Sequence, residues 1–125
     1  MYSLRRQIFT DGRALPNDPK EFTPTWMGYS VGNWEGDEFV VHTTGFNNKV
    51  WAIDMAGHPS SDAMHVYERF KRVDFGHMDL QVTVDDAKTY ESRWTLTTRY
   101  TLLPDTDLLE FECEVNPAPL HMVGK

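Results

Sequence analysis

The strongest constraint on the fold is a pair of alternating segments, residues 63–73 and 77–84, on either side of Asp74-Phe75-Gly76. This sequence is typical of a three-residue hairpin loop that ends in a left-handed glycine. Such a loop places Val73 opposite His77 in the strand pairing. The hairpin then has one polar and one apolar face. A two-residue turn shifts every side chain to the other face, so it is rejected. The predicted polar pairs are Lys71–Asp79, Arg69–Gln81 and Tyr67–Thr83, and the other face holds Met78, Leu80, Val82 and Val84 opposite Arg72, Phe70, Glu68 and Val66.

This register places the carboxylate of Glu68 in the middle of the apolar face. A carboxylate among core side chains costs several kcal/mol unless it is paired, protonated or bound. One interpretation is a general acid or base with a raised pKa, or a metal ligand. The other is a buried ion pair with an inward-pointing arginine, for which Arg6, Arg93 and Arg99 are the candidates.

The rest of the chain reads as short strands separated by Gly, Pro, Asn and Asp, with few helix signals. Ser61-Asp62 could also cap a helix that begins at Ala63, which is the alternative at that point. Sequential hairpins predict an antiparallel meander that curls into a barrel or sandwich, and a dimer through the first or last strand would cover the free edge. The predicted strands are residues 4–10, 27–34, 38–44, 63–73, 77–84, 93–102 and 108–115.

Residues 45–62 form a long irregular segment that is too apolar for a disordered linker. We expect it to pack down as a lid over an opening. Trp51 would then supply an aromatic wall and Asp54 a polar contact. The alternative is that Trp51 plugs one end of the fold as ordinary core.

Length and charge narrow the classes of function. The 125 residues correspond to one domain, residues 1–125, and the net charge of −7 argues against nucleic acid and anionic membranes as partners. No apolar run reaches the ~20 residues of a membrane span, and no signal peptide is visible at the N-terminus. The single cysteine, Cys113, excludes an internal disulfide and is interpreted as a small core residue.

The histidines suggest a second kind of site. A two-residue turn at Glu35-Gly36 sets His42 opposite Tyr29, so His42 is expected on the outer face or near the barrel mouth. His65 and His77 are expected on the face opposite Glu68. His58 lies in the long loop, where it can fold over an opening. Histidines could hold copper, zinc or iron together with Asp54, Asp62 or Glu68, although no spacing matches a known ligand pattern.

Several motifs resemble an uncharacterised family of soil-bacterial proteins: RQIFTDGR, PTWMGYSVGNWEGDEFVV, TTGFN, the stretch 57–86 and the closing HMVGK. The resemblance covers nearly the whole chain. It implies an extracytoplasmic origin and a longer N-terminal part in other members, but no catalytic residues. Gly32-x-Trp34 is also faintly similar to the strand signature of lipocalins.

Together these patterns predict an all-β domain: a small antiparallel barrel, calycin-like or cupin-like, of about seven strands with one long loop. The first hypothesis for its function is an enzyme that acts on a small molecule by acid–base chemistry centred on Glu68. The alternatives are a metal-dependent enzyme and a non-catalytic ligand-binding barrel with tryptophan walls. The candidate catalytic residues are Glu68, His58 and His42, with Tyr29 or Tyr67 assisting, and the candidate ligand-binding residues are Trp51, Tyr29, Asp54 and Trp34, beside Trp26 and Trp94.

Overall fold

The computed structural model describes residues 5–18, 20–49 and 52–107. Over these residues the chain is all-β and contains no helix. Its strands form one mixed sheet in chain order, in which β1 runs parallel to β2 and all other neighbours are antiparallel. The strands are β1 (Ile8–Phe9), β2 (Tyr29–Glu35), β3 (Glu38–Thr44), β4 (His65–Asp74), β5 (His77–Asp85) and β6 (Trp94–Thr101).

Two features of the sheet differ from the sequence prediction. In the part of the chain that the structure describes, β1 and β6 are its two edges, so the sheet is open rather than closed into a barrel. The first connection was expected to join antiparallel strands, but β1 and β2 are parallel. Residues 10–28 are long enough to return the chain to the same end of the sheet, which a parallel pair requires. The predicted seventh strand, residues 108–115, and Cys113 lie outside the described residues.

The β4–β5 hairpin has the predicted register from Val66–Val84 to Arg72–Met78. Its turn differs, because Asp74 pairs with His77 and Val73 forms a bulge. The prediction of a left-handed conformation for Gly76 is also wrong, because the φ of this residue is not positive. The bulged residue compensates for the shorter turn, so every side chain of the hairpin stays on its predicted face. The Asp74 carboxylate supports this turn by accepting the Gly76 N–H (2.8 Å).

The β2–β3 hairpin turns at Gly36-Asp37, one residue later than the predicted turn. His42 therefore pairs with Val31 rather than with Tyr29. This displacement equals two positions of register, so the face of every side chain is unchanged. Gly36 has a φ of 65°, as the first position of a type II′ turn requires.

The core lies on the face that carries Glu68, which we call the inner face. Val41, Leu80 and Val84 are buried there, and Met64 joins them from the segment before β4. The hairpin ends of the same sheet are exposed, with Trp34 at 69% and Phe75 at 76%. Among the described residues, the inner face is therefore covered at the end where residues 45–49 and 52–62 lie.

Gly45, at the start of that loop, is tightly packed against Phe22. It has a φ of 76°, and a Cβ there would overlap the ring of Phe22. Gly36 has a similar φ with no atom within 4 Å of a built Cβ, which makes it the matched control. Gly36→Ala should cost about 1 kcal/mol from backbone strain alone. Gly45→Ala should cost about 3 kcal/mol, because overpacking against Phe22 adds to the strain.

Urea unfolding of both variants measures this difference. Equal losses of unfolding free energy would contradict the close packing of Phe22 on Gly45.

Candidate functional site

A cavity of about 300 Å³ lies between the inner face and the loop 45–62. Its walls are mostly apolar and aromatic, and the charged side chains that line it are Arg6 and Asp54. Strands β4, β5 and β6 supply one wall, which consists of Val66, Val82, Val84, Trp94 and Leu96. The rest of the apolar lining comes from segments outside the strands: Trp26, Phe46, Ala52, Ile53 and Met64.

Arg6 forms a two-pronged ion pair with Glu68 beside this cavity. Nη1 of Arg6 lies 2.6 Å from Oε2 of Glu68, and Nη2 lies 3.3 Å from Oε1. Glu68 stands between Val41 and Val82 in the register of the inner face, where an unpaired charge is costly. Two residues after Arg6, Ile8 pairs with Ser30 of β2, which aligns the guanidinium with this face. The carboxylate is thus compensated by one of the three arginines that the sequence suggested.

The other two candidate arginines have different partners. Arg93 pairs with Asp85 (2.8 Å), and Arg99 pairs with Asp79 (2.6 Å) across the β5–β6 ladder. Asp79 and Asp85 lie on the face opposite Glu68, which we call the outer face.

A second polar unit, Asp54 with His58, lies in the loop. Oδ2 of Asp54 is 2.6 Å from Nδ1 of His58, and Oδ1 accepts the backbone N–H groups of Ala56 and His58. The His58 backbone N–H is the main cause of the lowered pKa of Asp54. His58 in turn stacks on Trp94 with the ring centres 4.8 Å apart. A histidine oriented by a carboxylate in this way can act as a general acid or base through Nε2.

Trp94 and Tyr90 hold the loop against the sheet. The Tyr90 hydroxyl donates a hydrogen bond to the Pro59 carbonyl (2.7 Å), and its ring meets Trp94 edge-on at 5.7 Å. Burial is the main cause of the raised pKa of Tyr90, the charges of Asp54 and Asp86 add to it, and the Trp94 N–H acts in the opposite direction. That buried N–H makes no hydrogen bond of ordinary geometry within the described part of the chain.

Asp86 is the strongest anchor of the loop and was missed by the sequence analysis. It is 2% exposed and accepts hydrogen bonds from the Ser61 N–H (2.6 Å), the Ser61 hydroxyl (2.5 Å) and the Thr89 hydroxyl (2.9 Å). Burial alone would raise the pKa of Asp86, but the bonds from Ser61 and Thr89 outweigh it and the pKa is lowered. The only signal in the sequence is an aspartate followed by Thr89 in a turn, a common local pattern.

Several predicted site residues lie away from the cavity. His42 is on the outer face, where it stacks on Tyr67 (4.2 Å) and its Nε2 lies 3.0 Å from Nδ1 of His65. Burial, then His65, lowers the pKa of His42. Tyr29 stacks on Phe9 on the outer face and interacts with Arg13.

The structure thus places Asp54 in the lining of the cavity, with His58 bound to it and Glu68 bound to the lining residue Arg6. His42 and Tyr29 lie on the outer face, away from the cavity. Trp34 is exposed at the end of β2, and Trp51 lies outside the described residues. Trp26 and Trp94, which the sequence suggested only as apolar walls, do line the cavity.

Among residues 5–18, 20–49 and 52–107, no three His, Cys, Asp or Glu side chains are grouped so as to hold a metal ion. The same ranges contain no helix of the length and apolarity needed to cross a membrane. The chain matches no protein-family model, no curated protein and no solved structure. The resemblance to soil-bacterial proteins therefore stays a prediction.

The Arg6–Glu68 pair should be a major source of stability. Arg6→Met leaves the Glu68 carboxylate without its partner, and we expect a loss of about 3 kcal/mol in the free energy of unfolding. This is the low end of the range for buried pairs, because the Arg6 side chain is 24% exposed. The double variant Arg6→Met/Glu68→Leu should recover most of the loss, since it removes the buried charge as well.

Arg99→Met is the matched control, because it breaks a two-pronged pair on the outer face and should cost much less. Urea unfolding of the four proteins checks this. An equal cost for the two single arginine variants would show that Glu68 does not depend on Arg6.

Proposed function

We propose that the chain binds a small, mostly apolar molecule in the cavity between the inner face and the loop. The observation that carries this proposal is the lining: apolar and aromatic side chains around about 300 Å³, with Arg6 and Asp54 as the charged contacts. Ligand pockets typically have about 300–1,000 Å³ and such a mixture of walls and polar groups, so a small ligand is favoured.

The loop is held in place by hydrogen bonds to other parts of the chain, which supports binding. Asp86 and Tyr90 fasten its second half at Ser61 and Pro59. Thr25 fastens its start through backbone hydrogen bonds to Gly45 and Asn47. Because these contacts already order the backbone, a ligand would lose little affinity to loop ordering. The proposal does not depend on closure into a calycin-like or cupin-like barrel of seven strands.

The neutral alcohol 2-phenylethanol is a suitable first probe. We expect NMR shift changes confined to the cavity lining and a Kd of about 1 mM or lower, which corresponds to about 4 kcal/mol spread over about nine non-hydrogen atoms. Val82→Phe fills the cavity from β5 and should weaken binding about tenfold or more. Gln81→Phe, on the outer face of the same strand, is the control and should leave the Kd unchanged.

Saturable shifts elsewhere on the surface would contradict the proposal. Unaltered binding by Val82→Phe would do so equally.

A second candidate function, acid–base catalysis, is favoured by the Asp54–His58 pair. The sequence hypothesis centred this chemistry on Glu68, but both Glu68 oxygens accept hydrogen bonds from Arg6, which favours a structural role for this carboxylate. His58 is better placed, because Asp54 orients its ring and Nε2 has no hydrogen bond to any described residue. We therefore propose His58 as the acid–base residue, with Asp54 as its positioning residue.

The chain provides a matched control for this idea. His77 is paired with Asp74 at 2.8 Å, but it lies at the hairpin end, away from the cavity. Hydrolysis of 4-nitrophenyl acetate should fall about tenfold in His58→Gln and remain unchanged in His77→Gln, because general base catalysis contributes at least this factor. Competitive inhibition by 2-phenylethanol should accompany the activity. Equal rates for both variants would exclude His58.

The remaining expectations stay predictions. A transition-metal enzyme would be recognised by elemental analysis of the protein after incubation with excess metal. A homodimer through an edge strand is compatible with β6, where Leu96 and Tyr100 are exposed.

A further inference from the structure

The charges around the cavity do not cancel. Arg6 is matched by Glu68 in a two-pronged ion pair. Asp54 is the remaining charged residue of the lining, and its side-chain partner is the imidazole of His58 rather than a lysine or an arginine. The cavity then has one net negative charge. The net charge of −7 on the whole chain acts in the same direction by attracting cations.

The Asp54 carboxylate has room for a further donor. A carboxylate offers about four acceptor positions. In Asp54, two are used by the backbone N–H groups of Ala56 and His58 and one by the His58 ring. The lowered pKa of Asp54 keeps it ionised near neutral pH. Its side chain is 31% exposed, so it lies at the boundary between the cavity and water.

The aromatic side chains of the cavity favour the same sign of charge. Trp26, Phe46 and Trp94 all contribute to the lining. Aromatic rings attract cations through their negative faces, and tryptophan does so most strongly. A carboxylate combined with aromatic and aliphatic walls suits a ligand that has a cationic head and an apolar body.

We propose that the cavity takes a small organic amine in its protonated form, with the ammonium group at Asp54 and the apolar body against Trp94 and the β5–β6 wall. This inference rests on the proposed binding function and adds the chemical class of the ligand. An organic anion is disfavoured, since it would approach Asp54 and Glu68, and Arg6 already donates to both oxygens of Glu68.

Three probes of similar size separate the possibilities: 2-phenylethylamine, 2-phenylethanol and 3-phenylpropionate. Their Kd values are measured by NMR titration of the full chain at about pH 8, where histidines are mostly neutral. The amine should bind about five- to tenfold more tightly than the alcohol, from one partly exposed ion pair and cation–π contact. The propionate should bind more weakly than the alcohol.

Asp54→Asn should abolish the preference for the amine while the alcohol still binds. Asp62→Asn is the control, because Asp62 is an exposed carboxylate of the same loop, paired with Lys88. If Asp54→Asn does not fold, the wild-type protein supplies a second measurement. The advantage of the amine should shrink as salt is raised from low to high ionic strength, whereas the Kd of the alcohol should not rise with it.

The outcomes separate the two proposals. Equal binding of amine and alcohol overturns the amine inference and leaves the apolar binding site intact. Tightest binding of the propionate also overturns it, in favour of an anion site at Arg6. If none of the three probes binds, the proposed function fails together with this inference.

Discussion

The pairing of Arg6 with Glu68 is the interaction on which the inner face depends. Glu68 occupies the centre of a sheet face that otherwise buries Val41, Leu80 and Val84. Without a cation beside it, the carboxylate would have to be protonated or hydrated, and both would disturb the packing of β3, β4 and β5. Arg6 enters from the start of the chain and ties the short strand β1 to the middle of the sheet. The same guanidinium then lines the cavity, so the stability of the face and the polarity of the site depend on one residue.

Hydrogen bonds of the loop turn part of this face into a half-open pocket. The strands supply one wall of this pocket. The described residues of the segment 45–62 supply another wall, because Asp86 and Tyr90 hold the second half of that segment and Thr25 holds its start. The pocket is thus made of two parts that are distant in sequence, and its shape depends on the polar contacts that hold the loop as well as on the strands below.

The division of the pocket between strands and a loop explains what the sequence could and could not predict. Strand faces depend on alternation alone, so β4 and β5 were predicted with the correct partners, and the inward position of Glu68 followed. The β2–β3 faces were also correct although the turn was displaced, because a shift of two positions preserves alternation. The partner of Glu68 could be narrowed only to three arginines, since it depends on the parallel β1, which the meander pattern did not predict. Asp86 gave almost no signal, because its role arises from contact with Ser61, far away along the chain.

The two histidine–aspartate pairs show how environment decides between chemistry and plain structure. His77 with Asp74 and His58 with Asp54 have nearly the same geometry, at 2.8 and 2.6 Å. The first pair stabilises a hairpin turn in contact with water. The second stacks on Trp94, and its carboxylate forms part of the wall of an apolar cavity. The Asp54 side chain is 31% exposed, against 59% for Asp74, so water screens the charge of Asp54 less than that of Asp74. The surroundings of the Asp54–His58 pair, and not the pair itself, therefore favour a binding site there.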